Sequence, residues 1–123
     1  MKKLCKISII TSALAAVLLL LPNVGNTADE KGGKTVTMKG EIVDLMCYLD
    51  HGAKGEKHAG CAQKCIKGGG PVGLLSDDQV YLLVGEHQAI NDEAASKAAQ
   101  TVTVTGKLVE RGGMKMIENA QLQ

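Results

Sequence analysis

The 123-residue sequence predicts one mainly β domain, a five-stranded OB-like Greek-key barrel with a short helix between strands 3 and 4. Three observations point there. The order of elements reads strand, long loop, strand, strand, helix, strand, strand. The first strand carries a glycine at its middle, which a small closed barrel needs for curvature. The C-terminal stretch, VTVTGKLVERGGMKMIENAQLQ, reads as a closing hairpin around Arg111-Gly112-Gly113.

The chain opens with Lys2, Lys3 and Lys6, then an apolar run from Ile7 to Leu21, then Pro22 and small or polar residues to Ala28. This three-part pattern predicts a secretory signal peptide over residues 1–28. The apolar run is broken by Ser8, Thr11 and Ser12 and falls short of the roughly 20 residues of a spanning helix. Three of the 14 basic residues and none of the 13 acidic residues lie in that leader. The remaining domain therefore carries 11 basic and 13 acidic residues, a formal charge of −2. Cys5 leaves with the leader, so three cysteines remain. Export would place them in an oxidising compartment, outside the cytoplasm.

Residues 29–34 form a Gly-rich lead-in to a domain over residues 35–123. From Thr35 the pattern alternates, with Val36, Met38, Gly40 and Ile42 on one face of a strand running to about Met46. Gly40 predicts a bulge or sharp bend. After the long loop, Val72–Leu75 and Val80–Val84 flank Ser76-Asp77-Asp78 as a hairpin. Asn91 is a good N-cap for a helix over 92–100. Thr101 to Val109 and Met114 to Leu122 complete the strands. With no Phe and no Trp, the core must come from Val, Ile, Leu, Met and Ala. Met46, Met114 and Met116 are expected to fill space in it.

The stretch 47–71 is too long for an ordinary turn. It holds every remaining cysteine in the pattern Cys47-x10-His58-x2-Cys61-x3-Cys65. A helix from His58 to Ile66 would put His58, Cys61 and Cys65 on one face, with Cys47 approaching from the end of strand 1. Three thiolates and one imidazole make a Cys3His set suited to one zinc ion, and the soft donors equally suit copper(I). Two alternatives stand beside it. A disulfide from Cys47 to Cys61 or Cys65 would make this a tied structural or interaction domain and leave one thiol over. A thiol redox carrier would use Cys61 and Cys65, although their spacing differs from C-x-x-C. His51 is a spare loop histidine or an exchangeable ligand, and His87 reads as surface. Gly68-Gly69-Gly70-Pro71 lacks the Lys-Ser/Thr of a phosphate loop and reads as a flexible exit from the Cys/His segment.

No catalytic constellation is visible. The acidic balance and two tyrosines supply neither the basic groove nor the stacking platforms of a nucleic-acid binder. The expected partners are a metal ion and a protein of the cell envelope, with no membrane contact once the leader is removed.

The segments GEIVDLMCYLDHGAKGEKHAGCAQKCIKGGGPVGLL, QVYLLVG and VTVTGKLVERGGMKMI resemble a family of small exported bacterial OB-like domains. Its pattern runs C-[YF], then H-x-x-C-A-x-x-C, then G-x-P-x-G-L-L, and the likeness covers about residues 36–120. The resemblance implies that Cys47, His58, Cys61 and Cys65 matter together, and implies no activity. A looser likeness to periplasmic copper-binding OB proteins does not extend to their His, Met and Trp ligand set, because this chain has no Trp.

Overall fold

A computed structural model describes residues 33–123. The expected leader, residues 1–28, and the lead-in up to residue 32 lie outside the described residues. Five strands close a barrel in the order β1-β2-β3-β5-β4. They are β1 (Lys34–Asp44), β2 (Val72–Ser76), β3 (Gln79–Leu83), β4 (Thr101–Arg111) and β5 (Met114–Leu122). Neighbours are antiparallel except β3 and β5, which run parallel at Leu82–Met116 and Leu83–Ile117. The OB-like barrel expected from the element order is the fold observed.

Strand β1 closes the barrel because it is shared. Its first part, Lys34 to Glu41, pairs with β4, and its last part, Glu41 to Asp44, pairs with β2. Gly40 stands where the strand passes from one neighbour to the other. A Cβ there would lie 2.5 Å from the Leu75 carbonyl oxygen and 2.9 Å from the Leu74 side chain. Only a residue without a side chain allows β2 so close.

The two-residue turn Asp77-Asp78 has φ of 47° and 61°. Both central residues are left-handed, the backbone twist that suits a tight hairpin. Gly112 and Gly113 do the same between β4 and β5, at 58° and 81°.

The core is aliphatic throughout. Ile42, Leu74, Val104 and Ile117 are fully buried in the barrel. Two corrections concern methionine. Met46 is 66% exposed and Met114 is 64% exposed, so neither fills the core. Met114 pairs with Arg111 at the outer tip of the β4–β5 hairpin, beyond the barrel wall. Alanine takes up part of the missing volume: Ala94 and Ala95 are fully buried.

Among the described residues, three α-helices flank the barrel strands: α1 (Leu45–His51), α2 (Ala59–Lys67) and α3 (Asn91–Ser96). Helix α3 starts one residue earlier and ends four residues earlier than the sequence suggests. Its N-cap is Ile90, without a side-chain cap bond. The early end has a backbone cause. Ala99 turns left-handed at φ 61° and donates to the Ile42 carbonyl at 2.8 Å, while Ile42 donates to Gln100 at 3.0 Å. Sheet-like pairing with β1 outcompetes further helix.

Asn91 has a different task from capping its own helix. Its amide donates to the carbonyls of Ile66 and Gly70, both at 2.7 Å. One side chain thereby clasps the C-terminal end of α2. Asn91→Ala would leave the Gly70 carbonyl unpaired and the Ile66 carbonyl with the Gly69 N–H alone, and is expected to cost about 1–3 kcal/mol. Hydrogen exchange should then speed up in α2 before the barrel strands, and an unchanged α2 would remove this role from Asn91.

Candidate metal centre

The site is built where β1 stops. Asp44, extended at φ −73° and ψ 119°, accepts the Cys47 N–H on Oδ1 at 2.8 Å. This N-cap converts the strand into α1 at once, where the sequence suggests that the strand continues to Met46. Cys47 consequently rides on the first turn of a helix. The sequence signal was present: an aspartate three residues before the cysteine, with no proline or glycine between them. The same helix start explains the exposure of Met46.

Helix α1 stops at Gly52, left-handed at φ 71°, whose N–H reaches the Tyr48 carbonyl at 2.8 Å. Ala53 is buried, and the Gly55 N–H is accepted by the Glu41 carboxylate of β1. These anchors return the chain toward the barrel. A 3-10 turn (Glu56–His58) then leads into α2.

Helix α2 buries Ala62 and Ile66. The Gln63 side chain reaches across to the Ala95 carbonyl of α3 at 3.4 Å. With that face committed to the barrel and α3, Cys61 and Cys65 lie on the flank turned toward α1. The exit is ordered by backbone bonds from Gly68, Gly69 and Gly70 to Lys64, Ile66 and Cys65, at 2.9, 3.0 and 2.9 Å. Leu45 then donates to the Pro71 carbonyl at 2.9 Å, joining the start of α1 to the end of that exit.

The sulfurs of Cys47, Cys61 and Cys65 lie within 4.8 Å of one another, and all three thiols are free. Cys61 is exposed, while Cys47 and Cys65 are half-buried. Three sulfur donors at this separation form a compact set with one open side. His58 does not join this cluster. It is the N-cap of α2 at φ −104° and ψ 1°, not a residue of its first turn, so the expected shared helical face does not extend to it. Its ring lies instead beside that of His51, with centroids 6.2 Å apart. His87 is exposed, as expected from its polar neighbours.

No family model, curated protein or solved structure matches this chain.

The surroundings of Cys47 and Cys65 favour their protonated thiols. The Asp44 carboxylate beside the Cys47 thiol has the largest effect, burial adds to it, and the thiol is pushed up to about 12 from an ordinary 9.0. Cys65 is pulled two ways. The bond with Cys47 lowers it, but burial and the neighbouring Cys61 outweigh that and leave it raised.

Asp44 is 2% exposed, and its Oδ2 has no hydrogen-bond partner. Gly70 makes room for it. A Cβ at position 70 would come 2.6 Å from Asp44 Oδ2 and 2.9 Å from the Cys65 carbonyl. The glycine run is therefore partly a clearance for the site and not merely a flexible exit. Asp44, Gly70 and Asn91 are the supporting residues that the spacing of cysteines and histidines left unnoticed.

Proposed function

We propose that this protein is a binding module for one soft transition-metal ion, zinc(II) or copper(I), held by the thiolates of Cys47, Cys61 and Cys65. The observation that carries the reading is the mutual 4.8 Å approach of three free sulfurs from two helices. Zinc–sulfur bonds of about 2.3 Å place sulfurs about 4 Å apart around one ion. Three thiolates suffice for copper(I), and a zinc tetrahedron needs a fourth donor, for which His58, three residues before Cys61, is the candidate that the sequence offers. The small exported bacterial family that the sequence resembles, and a place in the cell envelope, belong to this proposal. So does a role in holding or delivering the ion to another envelope protein. Among the described residues, no helix is long and apolar enough to cross a membrane.

The direct test is native and denatured mass spectrometry with thiol counting on protein purified from its own compartment. The expected result is one bound ion and three reduced thiols in the folded domain. A metal-free protein with one disulfide and one free thiol, unable to take up zinc or copper after reduction, would overturn the reading in favour of a tied structural domain.

Acidity gives a second readout. Ligation requires thiolates, and Cys47 and Cys65 both hold their protons above the ordinary thiol range. At neutral pH at least two protons must leave per ion, so affinity falls steeply on acidification. Calorimetry in buffers of different ionisation enthalpy counts those protons. The metal-free fold has the opposite dependence. A raised thiol stabilises the native state fully below pH 9.0, and that contribution is lost as pH climbs toward about 12.

A further inference from the structure

We propose that His51 and His58 form a second, outer metal site that receives a borderline divalent ion such as zinc(II) and passes it to the three thiols. This rests on the reading of the thiols as the holding site. Three observations carry it. The first is spacing. With zinc–imidazole bonds of about 2.0–2.1 Å, two rings sharing one ion have centroids about 5 Å apart at the tetrahedral angle and up to about 6.5 Å as that angle opens. The observed separation is 6.2 Å, with the planes inclined at 58°, so the rings close by about 1 Å on a tetrahedral ion.

The second is orientation. Nδ1 of His51 is bonded to Asp50 Oδ2 at 3.1 Å. A carboxylate behind one ring nitrogen fixes the tautomer and leaves Nε2 as the free donor, the arrangement typical of metal-ligating histidines. Neither imidazole has another evident duty. His51 is exposed, and His58 makes no cap bond to the helix that it precedes.

The third is register. His51 follows Cys47 by four residues on α1, one helical turn further along the same face. His58 precedes Cys61 by three residues at the entrance of α2. The thiol cluster and the imidazole pair are thus adjacent rungs that join α1 to the start of α2. Their separation along the helix is one turn, about 5.4 Å. His58 lies in the outer rung, three residues before Cys61. It can hold the incoming ion with His51 and keep hold of it as thiolates replace His51. Imidazole and thiolate both accept zinc, so the passage is ligand exchange without change of oxidation state. Each entering thiol releases its proton to solvent.

The test separates the two sites. In the variant Cys47→Ser/Cys61→Ser/Cys65→Ser, zinc chloride is titrated while the ring resonances of the histidines are followed by NMR. His51 and His58 should shift together and saturate at one ion per chain, while exposed His87 stays still. Adding His51→Ala should abolish saturation at His58. Unmoved His51 and His58 rings, or an equal shift at His87, would overturn the outer site.

Should the triple variant unfold, His51→Ala alone decides the matter by stopped-flow loading of the otherwise intact protein. Zinc uptake should slow at least tenfold with final affinity unchanged, and an unaltered uptake rate would overturn the proposal. Tight zinc binding by the intact chain without any histidine response in the serine variant sinks the outer site alone. A histidine response without tight binding by the intact chain sinks the thiol site and the transfer to it, and leaves the imidazole pair as a metal site.

Discussion

Replacing Cys65 by serine is expected to lower zinc or copper(I) affinity at least 100-fold while the barrel stays folded. Cys65 is the natural target because its sulfur lies within 4.8 Å of both other sulfurs, while its neighbours Ala62 and Ile66 do the packing of α2. Serine keeps the size and polarity of the side chain but offers a hard, weakly acidic hydroxyl where the ion requires a thiolate. The loss should exceed the 10- to 100-fold cost typical of removing a residue that only supports a ligand. Competition against a chelator of known affinity measures it, and amide spectra confirm the fold. Undiminished affinity would remove Cys65 from the ligand set. Cys61→Ser should behave alike. Cys47→Ser is a less clean test, because Asp44 also touches that thiol and its removal alters a buried carboxylate at the same time.

Gly40→Val is expected to destabilise the metal-free domain by about 3 kcal/mol, at the upper end of the usual range for overpacking. The contact a Cβ would meet at 2.5 Å is a backbone carbonyl, which cannot step aside as a side-chain tip can. Domains of this size have only about 5–15 kcal/mol of stability in total. Thermal unfolding should therefore shift down by more than about 10 °C, at roughly 4–8 °C per kcal/mol. Gly60→Ala is the matched control. Nothing lies within 4 Å of a Cβ at Gly60, which sits inside α2. There alanine should gain about 0.5–1 kcal/mol through helix propensity. A Gly40→Val protein as stable as the original would mean that β1 does not need to approach β2 so closely. The functional link is direct, because the strand that bends at Gly40 ends four residues later on Asp44, the cap that starts the cysteine-bearing helix.

The strands were legible because their signals are local. Alternation along β1 survives in the structure, with Val36 and Met38 half-buried and Gly40 and Ile42 buried. The hairpin turns announce themselves by Asp-Asp and Gly-Gly, and β5 runs from Met114 to Leu122 as the pattern suggests. The helices were less legible. Leu45 and Met46 read as the end of a strand, and Cys47–His51 as the start of a long loop, until the Asp44 side chain is seen to cap a helix there. Helix α3 looks longer than it is because its last residues have acceptable helix propensity yet pair with Ile42. Burial of methionine was misjudged for a similar reason. Hydrophobicity says that Met46 can be buried, but only the direction of α1 decides that it is not.

The amino-acid sequence by itself determined an aliphatic β domain and a concentration of soft donors between residues 47 and 65. Composition and periodicity depend on neighbours in the chain, so they can be read from it. The tertiary structure decided how those donors divide. It brought Cys47, Cys61 and Cys65 together, set Asp44 behind them, and placed His58 beside His51. That division follows from where one helix is capped and on which side another packs against α3. Both depend on atoms that lie next to one another only after the barrel has closed.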